Sequence, residues 1–211
     1  MINSILRHPA SKPLAFVGCL LPLAWLVWRL FGDQQGGAFG YNPQEYLNRY
    51  LGDWALRFLL ATLALSPLRK LTKASGFVRF RRMVGLYAFF YVCLHLTSYV
   101  WLDQGFYWPE IWKDITKRNF ITVGMVSFVL LIPLAVTSWN RMIQKLGAAW
   151  WRRLHQVVYV IVPLACLHFF MMRKGIQIEP IIYVAICGLL LGVRVLEKLN
   201  ALHRTPGQNQ R

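Results

Sequence analysis

The chain has 211 residues, 56% of them hydrophobic and only 15% charged, against about 25% charged in an ordinary soluble domain. Its 24 Lys and Arg outnumber 8 Asp and Glu, a net charge of +16. Those values exclude a free-standing cytosolic enzyme and leave two anionic partners for the basic residues, nucleic acid or a membrane surface.

A helix crossing hydrocarbon about 30 Å thick needs about 20 largely apolar residues. Six runs meet that requirement in chain order, at Leu14–Phe31, Trp54–Leu71, Met83–Leu102, Phe120–Ser138, His155–Met172 and Ile181–Leu196. None of these runs contains Asp or Glu, which argues against a proton relay through them. They predict an all-α protein, a polytopic six-helix membrane bundle forming a single domain over residues 1–211. No stretch remains for a second globular unit, so an enzyme acting on a soluble substrate belongs on another chain.

The cations are interleaved with the apolar runs rather than gathered on one face, which speaks for a membrane and against nucleic acid. Sixteen Lys and Arg fall in segments on the side of the N-terminus, six on the opposite side, and Arg29 and Arg57 lie within runs. The positive-inside bias predicts both termini in the cytoplasm. The first run, preceded by Arg7 and Lys12 and followed by Gly36, Gly37 and Ala38, reads as a span rather than a cleaved leader, because it exceeds the usual leader core of about 7 to 15 residues. Cys19, Cys93, Cys166 and Cys187 all fall inside runs and read as packing residues. The tail Thr205–Arg211 is polar and reads as disordered. Pro22, Pro67, Pro133 and Pro163 are expected to shape the helices.

Three of five histidines stand in or beside the apolar runs. His8 and His203 read as surface residues, whereas His95, His155 and His168 have no acid to pair with, and an unsatisfied polar group there costs about 1 to 3 kcal/mol. A lone membrane histidine bonded to a Ser, a Thr or a carbonyl on a neighbouring helix is the plain structural reading, and His95 has Thr97 and Ser98 close by. The spacing offers more. His95 stands twelve residues along the third run and His168 thirteen along the fifth, both counted from the same side, or about 18 and 20 Å at the helical rise. Two imidazoles level with each other on neighbouring helices suit the axial positions of a heme iron inside an apolar bundle, and bis-imidazole ligation directs the chemistry to electron transfer.

His155 would stand about 20 Å below His168, where a second redox centre would complete a two-step path. Its ring is turned about 140° from His168 on a straight helix, so the arrangement calls for a kink at Pro163 or for cofactors on different sides. At its level the third run offers Met83 as a candidate axial ligand and Arg81 and Arg82 as candidate partners of heme propionates, with a basic flank of the span as the alternative. Arg57 is a further candidate propionate partner, or a side chain that snorkels. Zinc needs four clustered ligands, which residues so far apart do not supply. No nucleotide-binding glycine motif is present, so electrons are expected from a quinol or a docked reductase.

Several runs together resemble one known family: Phe58-Leu59-Leu60-Ala61-Thr62-Leu63 with Ser66-Pro67-Leu68, Arg81-Arg82-Met83-Val84-Gly85-Leu86, Leu94-His95-Leu96-Thr97-Ser98-Tyr99, and the stretch from Leu146-Gly147 through Trp151 and Leu154-His155 to Tyr159 and His168-Phe169. The chain resembles the MsrQ (YedZ) family, within the ferric-reductase-like transmembrane superfamily, from about Gly52 to Met172. The resemblance implies a bacterial inner-membrane subunit that passes electrons through one or two b-type hemes (heme b). The donor it implies is the quinone pool or a cytosolic flavin reductase. The acceptor is a periplasmic molybdenum-containing methionine sulfoxide reductase catalytic subunit that repairs oxidised proteins. It also implies FMN, for which no residues stand out, and it carries His95, His155 and His168 over as heme ligands. It departs at Arg81, or counting the other way at Pro109, where related oxidases have a second histidine 14 residues from the first. Rival readings are another membrane b-type cytochrome, such as a metal-ion reductase or a quinol-oxidising anchor, and a cofactor-free transporter or scaffold.

Overall fold

The computed structural model describes residues 2–32, 41–173, 175 and 177–203. The expectations for Gly36–Ala38 and for Thr205–Arg211 lie outside these residues, as does the side chain of His203. The described residues are helical throughout: α1 (Ile2–Arg7), α2 (Ser11–Gly32), α3 (Pro43–Thr72), α4 (Val78–Thr97), α5 (Trp108–Lys117), α6 (Asn119–Val136), α7 (Asn140–Leu146), α8 (Ala148–His155), α9 (Val158–Met172) and α10 (Ile178–His203). Six of the segments are long and apolar enough to span a membrane, namely Ser11–Gly32, Pro43–Thr72, Ser75–Asp103, Asn119–Val136, Ala148–Met172 and Ile178–Asn200. The all-α, six-span reading therefore stands.

The largest boundary difference is in α3, which begins eleven residues before the apolar run that announced it. Asn42 caps it: its side-chain oxygen accepts from the Glu45 amide at 3.1 Å, and its own amide donates to Glu45 at 3.3 Å. Pro43 fills the first turn, where no amide is needed. The long α3 carries Glu45 and Asp53, so the expectation that no acid stands on a spanning helix is corrected. Asp53 is compensated there by Arg173, 3.9 Å away.

α3 packs chiefly on α4, and α6 on α9, with α9 also against α10. The centre is sealed by Leu63, Ala88, Tyr91, Ile161 and Val162, all 0% exposed. α2 lies outside this core, burying only Pro22 and Leu26. One side chain ties it on. The Tyr91 hydroxyl donates to the Cys19 carbonyl at 3.0 Å and accepts from the Leu23 amide at 3.1 Å. It thus bridges two groups one helical turn apart beside Pro22, which is how a proline is accommodated where no water can compensate. Tyr50 adds a bond to the Pro22 carbonyl at 2.9 Å.

Two irregular segments matter for the site. α4 ends in a π-helical turn, Ser98–Asp103, a form that clusters at functional positions. In the fifth span the helix is interrupted at Gln156 and Val157, between α8 and α9, while α9 runs on through Pro163. The break falls earlier than expected because the proline ring crowds the carbonyl four residues back. The strain is taken up in the preceding turn, where Tyr159 and Val160 bond to the carbonyls of Gln156 and Val157 only three residues behind, each at 2.9 Å.

Candidate functional site

The two helix pairs that dominate the packing each hold one histidine in the same way. On α4, His95 places Nδ1 2.8 Å from the Asn48 carbonyl of α3, with its ring against Gly52. On α9, His168 places Nδ1 2.6 Å from the Phe120 carbonyl of α6, with its ring against Gly124. In both pairs the carbonyl and the glycine are four residues apart, so each carbonyl already accepts the glycine's helical amide and offers the imidazole its second lone pair. A Cβ on Gly52 would lie 3.1 Å from the His95 ring, and one on Gly124 only 2.9 Å from His168 Nδ1. A Cβ at position 124 would force the His168 ring to shift, and one at position 52 would press the His95 ring by a few tenths of an ångström, so glycine at both positions gives the rings room to reach the backbone.

This geometry settles the tautomers. A carbonyl only accepts, so Nδ1 carries the proton in both rings and Nε2 keeps its lone pair. The ring centres are 6.3 Å apart, with planes inclined at 72°. A metal–imidazole bond is about 2 Å long and Nε2 stands about 1 Å from its ring centre, so two imidazoles holding one ion from opposite sides have centres about 6 Å apart. The residues present fit a bis-imidazole site for a metal-bearing cofactor. Among the described residues, no three His, Cys, Asp or Glu side chains converge.

A supporting shell fixes His95 further. The Asn48 side-chain amide donates to the His95 carbonyl at 3.2 Å and to Ser98 Oγ at 2.9 Å, and Ser98 Oγ donates to the same His95 carbonyl at 2.8 Å. Asn48 thus holds His95 by both its backbone and its side chain, at the point where the π turn begins. His95 bonds to the Asn48 carbonyl rather than to Thr97 or Ser98, so the bond to a carbonyl of a neighbouring helix, one form of the plain structural reading, is present, and it leaves Nε2 available.

The remaining sequence candidates are not gathered at this pair. His155 stacks on Trp151, ring centres 3.9 Å apart, with Nδ1 3.1 Å from the Trp151 carbonyl. Its Nε2 is buried with no hydrogen-bond partner. Met83 and Arg82 line a cleft against α2. Arg81 reaches Ser66 Oγ at 3.4 Å and Arg82 reaches Asn140 Oδ1 at 2.6 Å. Arg57 is committed to α10: its Nε donates to the Tyr183 hydroxyl at 2.8 Å, Glu179 is 3.9 Å away, and the guanidinium lies over Trp54 at 4.9 Å.

Asn48, Gly52, Phe120 and Gly124 escaped sequence reasoning. A backbone acceptor leaves no mark on residue type. The glycines were the available signal, each standing alone in an apolar helix where a Cβ is normally favoured.

Residues 51–166 match the family model described as the ferric reductase like transmembrane component. The chain belongs to that family. It is a multi-pass membrane protein, and the matched segment contains both Gly52 and Gly124 together with His95 and His155, ending two residues before His168. Within the family it groups with MsrQ proteins. A relative from Polaromonas naphthalenivorans is 53% identical over 90% of this chain and 86% of its own length. One from Rhodospirillum rubrum is 52% identical over 90% and 89%, and one from Caulobacter vibrioides 50% identical over 87% and 86%. Each of the three is named as the heme-binding subunit MsrQ of a protein-methionine-sulfoxide reductase.

Proposed function

We propose that this chain is the heme-binding membrane subunit of a methionine sulfoxide reductase system, with one b-type heme held between His95 and His168. The observation that carries the reading is the matched pair of imidazoles, each donating from Nδ1 to a carbonyl beside a glycine, with ring centres 6.3 Å apart. The heme-binding names of relatives about half identical over nearly the whole chain point the same way.

A bound heme supplies a one-electron ferric/ferrous couple whose potential responds to axial ligands and burial. The protein's own residues do the rest. The Asn48 and Phe120 carbonyls hold each ring in the tautomer that leaves Nε2 free to ligate, and accepting the Nδ1 proton makes Nε2 a stronger donor. With both imidazoles ligating, the group would have no position open to oxygen, which would restrict the site to electron transfer. The apolar helices exclude water.

The charge asymmetry supports both termini in the cytoplasm, and the resemblance to the MsrQ family supports electrons travelling outward across a bacterial inner membrane, from a quinol or a cytosolic flavin reductase to a periplasmic molybdenum-containing catalytic subunit. His155, whose Nε2 is buried, is the residue that would hold a second heme. The test is heme stoichiometry and the reduced-minus-oxidised spectrum of the purified protein. His95→Ala and His168→Ala are each expected to lose the Soret band of the shared heme, whereas His155→Ala keeps it. Full heme content in either of the first two variants would overturn the assignment.

A further inference from the structure

At the end of the bundle where α1 meets the α3–α4 turn, through the Asn3 side chain and the Gly76 amide 3.0 Å apart, a cleft of about 760 Å³ opens between α2, α4 and the α6–α7 junction. Lys12, Arg79 and Arg82 ring its mouth. Beyond them the lining continues with Phe16 and Leu20 of α2 and Leu86 and Phe90 of α4, one and two turns, or about 6 and 12 Å, along each helix from Lys12 and Arg82. Phe16, Leu86 and Phe90 remain 51%, 40% and 38% exposed, so the walls present uncovered apolar surface directly under three cations. Trp139, 63% exposed, stands at the rim, where indoles are favoured at a membrane–water boundary.

Among the described residues no acid forms an ion pair with Arg79 or Arg82 or lines the cleft beside Lys12. Arg82 is held by the Asn140 side-chain oxygen at 2.6 Å and Arg79 by the Leu6 carbonyl at 3.1 Å, both neutral acceptors. No Asp or Glu lines the cleft. Of the chain's eight acids only Glu197 belongs to the sequence segments at this end, and it is taken by Lys70 at 2.5 Å. A site with cations at the headgroup level and an open apolar slot below is complementary to an amphiphilic phosphate, because guanidinium matches phosphate oxygens and the slot takes an acyl chain.

We propose that this cleft binds one anionic glycerophospholipid, its phosphate between Lys12, Arg79 and Arg82 and one acyl chain along Phe16, Leu86 and Phe90. The full chain is reconstituted in bilayers of equal phosphatidylglycerol and phosphatidylcholine, and the lipid retained on release is counted by native mass spectrometry. One phosphatidylglycerol per chain is expected, at least tenfold over phosphatidylcholine. Combined Lys12→Gln and Arg79→Gln is expected to reduce retention at least fivefold, as is Leu86→Trp, which fills the slot while keeping every cation. Arg141→Gln with Lys145→Gln on α7 at the same end is expected to leave it unchanged.

Equal retention of the zwitterionic lipid overturns the proposal. So does an equal loss in the α7 variant, or undiminished retention in the Leu86 variant. Inorganic phosphate that displaces the lipid at millimolar concentration shows an anion site without the acyl slot, and also overturns it. If the double variant fails to fold, the Leu86 variant and the wild-type lipid preference still decide.

Discussion

Gly124→Ala separates the stability of the helix from the integrity of the site, because the two respond in opposite directions. Alanine in a helix interior is favoured over glycine by about 1 kcal/mol, but the overlap with the His168 ring is present without heme as well, so the heme-free chain is expected to gain less than that in thermal stability. At the site the new Cβ would stand 2.9 Å from His168 Nδ1 and 3.0 Å from its Cε1, where comfortable contacts begin at about 3.5 Å. The ring must retreat by roughly 0.5 Å, more than the ±0.2 Å or so that a metal–ligand distance tolerates. It also strains the bond to the Phe120 carbonyl at 2.6 Å. Perturbing the partner that orients a ligand typically costs 10- to 100-fold in affinity, and tenfold is about 1.4 kcal/mol. Gly52→Ala is expected to act in the same direction and less strongly, since its Cβ would meet the His95 ring at 3.1 Å. Heme titration into the purified apoprotein, followed at the Soret band beside a circular-dichroism melt, reads both effects. Gly188→Ala, where a Cβ meets nothing within 4 Å, is the control that gains helix propensity and keeps its heme. Wild-type heme affinity in Gly124→Ala, with the expected gain in helix stability, would refute the close-approach argument.

Three other substitutions test the surrounding structure. Asn48→Ala keeps the carbonyl that holds His95 but removes the amide bonds to the His95 carbonyl and Ser98 at 3.2 and 2.9 Å. It is expected to lower stability by about 1 to 2 kcal/mol, read as a lower melting temperature, with heme still bound. Tyr91→Phe leaves the Cys19 carbonyl and the Leu23 amide unbridged at the proline of α2; a loss of about 1 to 3 kcal/mol and earlier proteolysis of α2 are expected. Glu197→Gln removes an ion pair whose side chains are 50% and 36% exposed, so stability measured in detergent is expected to stay within about 1 kcal/mol of the wild type.

The six spans were legible because membrane crossing is a demand on composition over about 20 residues, and composition needs no partner to be read. The first eleven residues of α3 were not, because Pro43–Asp53 is too polar to register as a span. Its helical start is nevertheless written in Asn42, Pro43 and Glu45 as a cap and first turn. α5 was missed for a related reason. It is short, and it is fixed by Asp114, 2% exposed and bonded to Tyr99 and Arg118, each at 2.9 Å, contacts that depend on tertiary placement. The level match of His95 and His168 followed from counting helical rise. The break before α9 did not, because a proline displaces the turn preceding it and the rotation between His155 and His168 is set by that turn.

What the sequence left unwritten is how a buried imidazole is satisfied without an acid. In a lipid-embedded bundle every carbonyl is already spent on its own helix, and its second lone pair points past residue i+4 toward the neighbouring helix. A long side chain such as Tyr50 reaches such a carbonyl past an ordinary residue, but the short imidazoles of His95 and His168 do so here with their rings laid against a residue i+4 that has no Cβ. A glycine four residues after the acceptor thus gives a neutral, singly protonated histidine room at that depth, and Gly52 and Gly124 provide it on α3 and α6 in turn. Because both helix pairs solve the problem identically, each ring presents the same nitrogen, and the two rings arrive 6.3 Å apart. A bundle that needed its histidines only for packing would have no reason to give up a favourable Cβ twice to prepare two equivalent lone pairs.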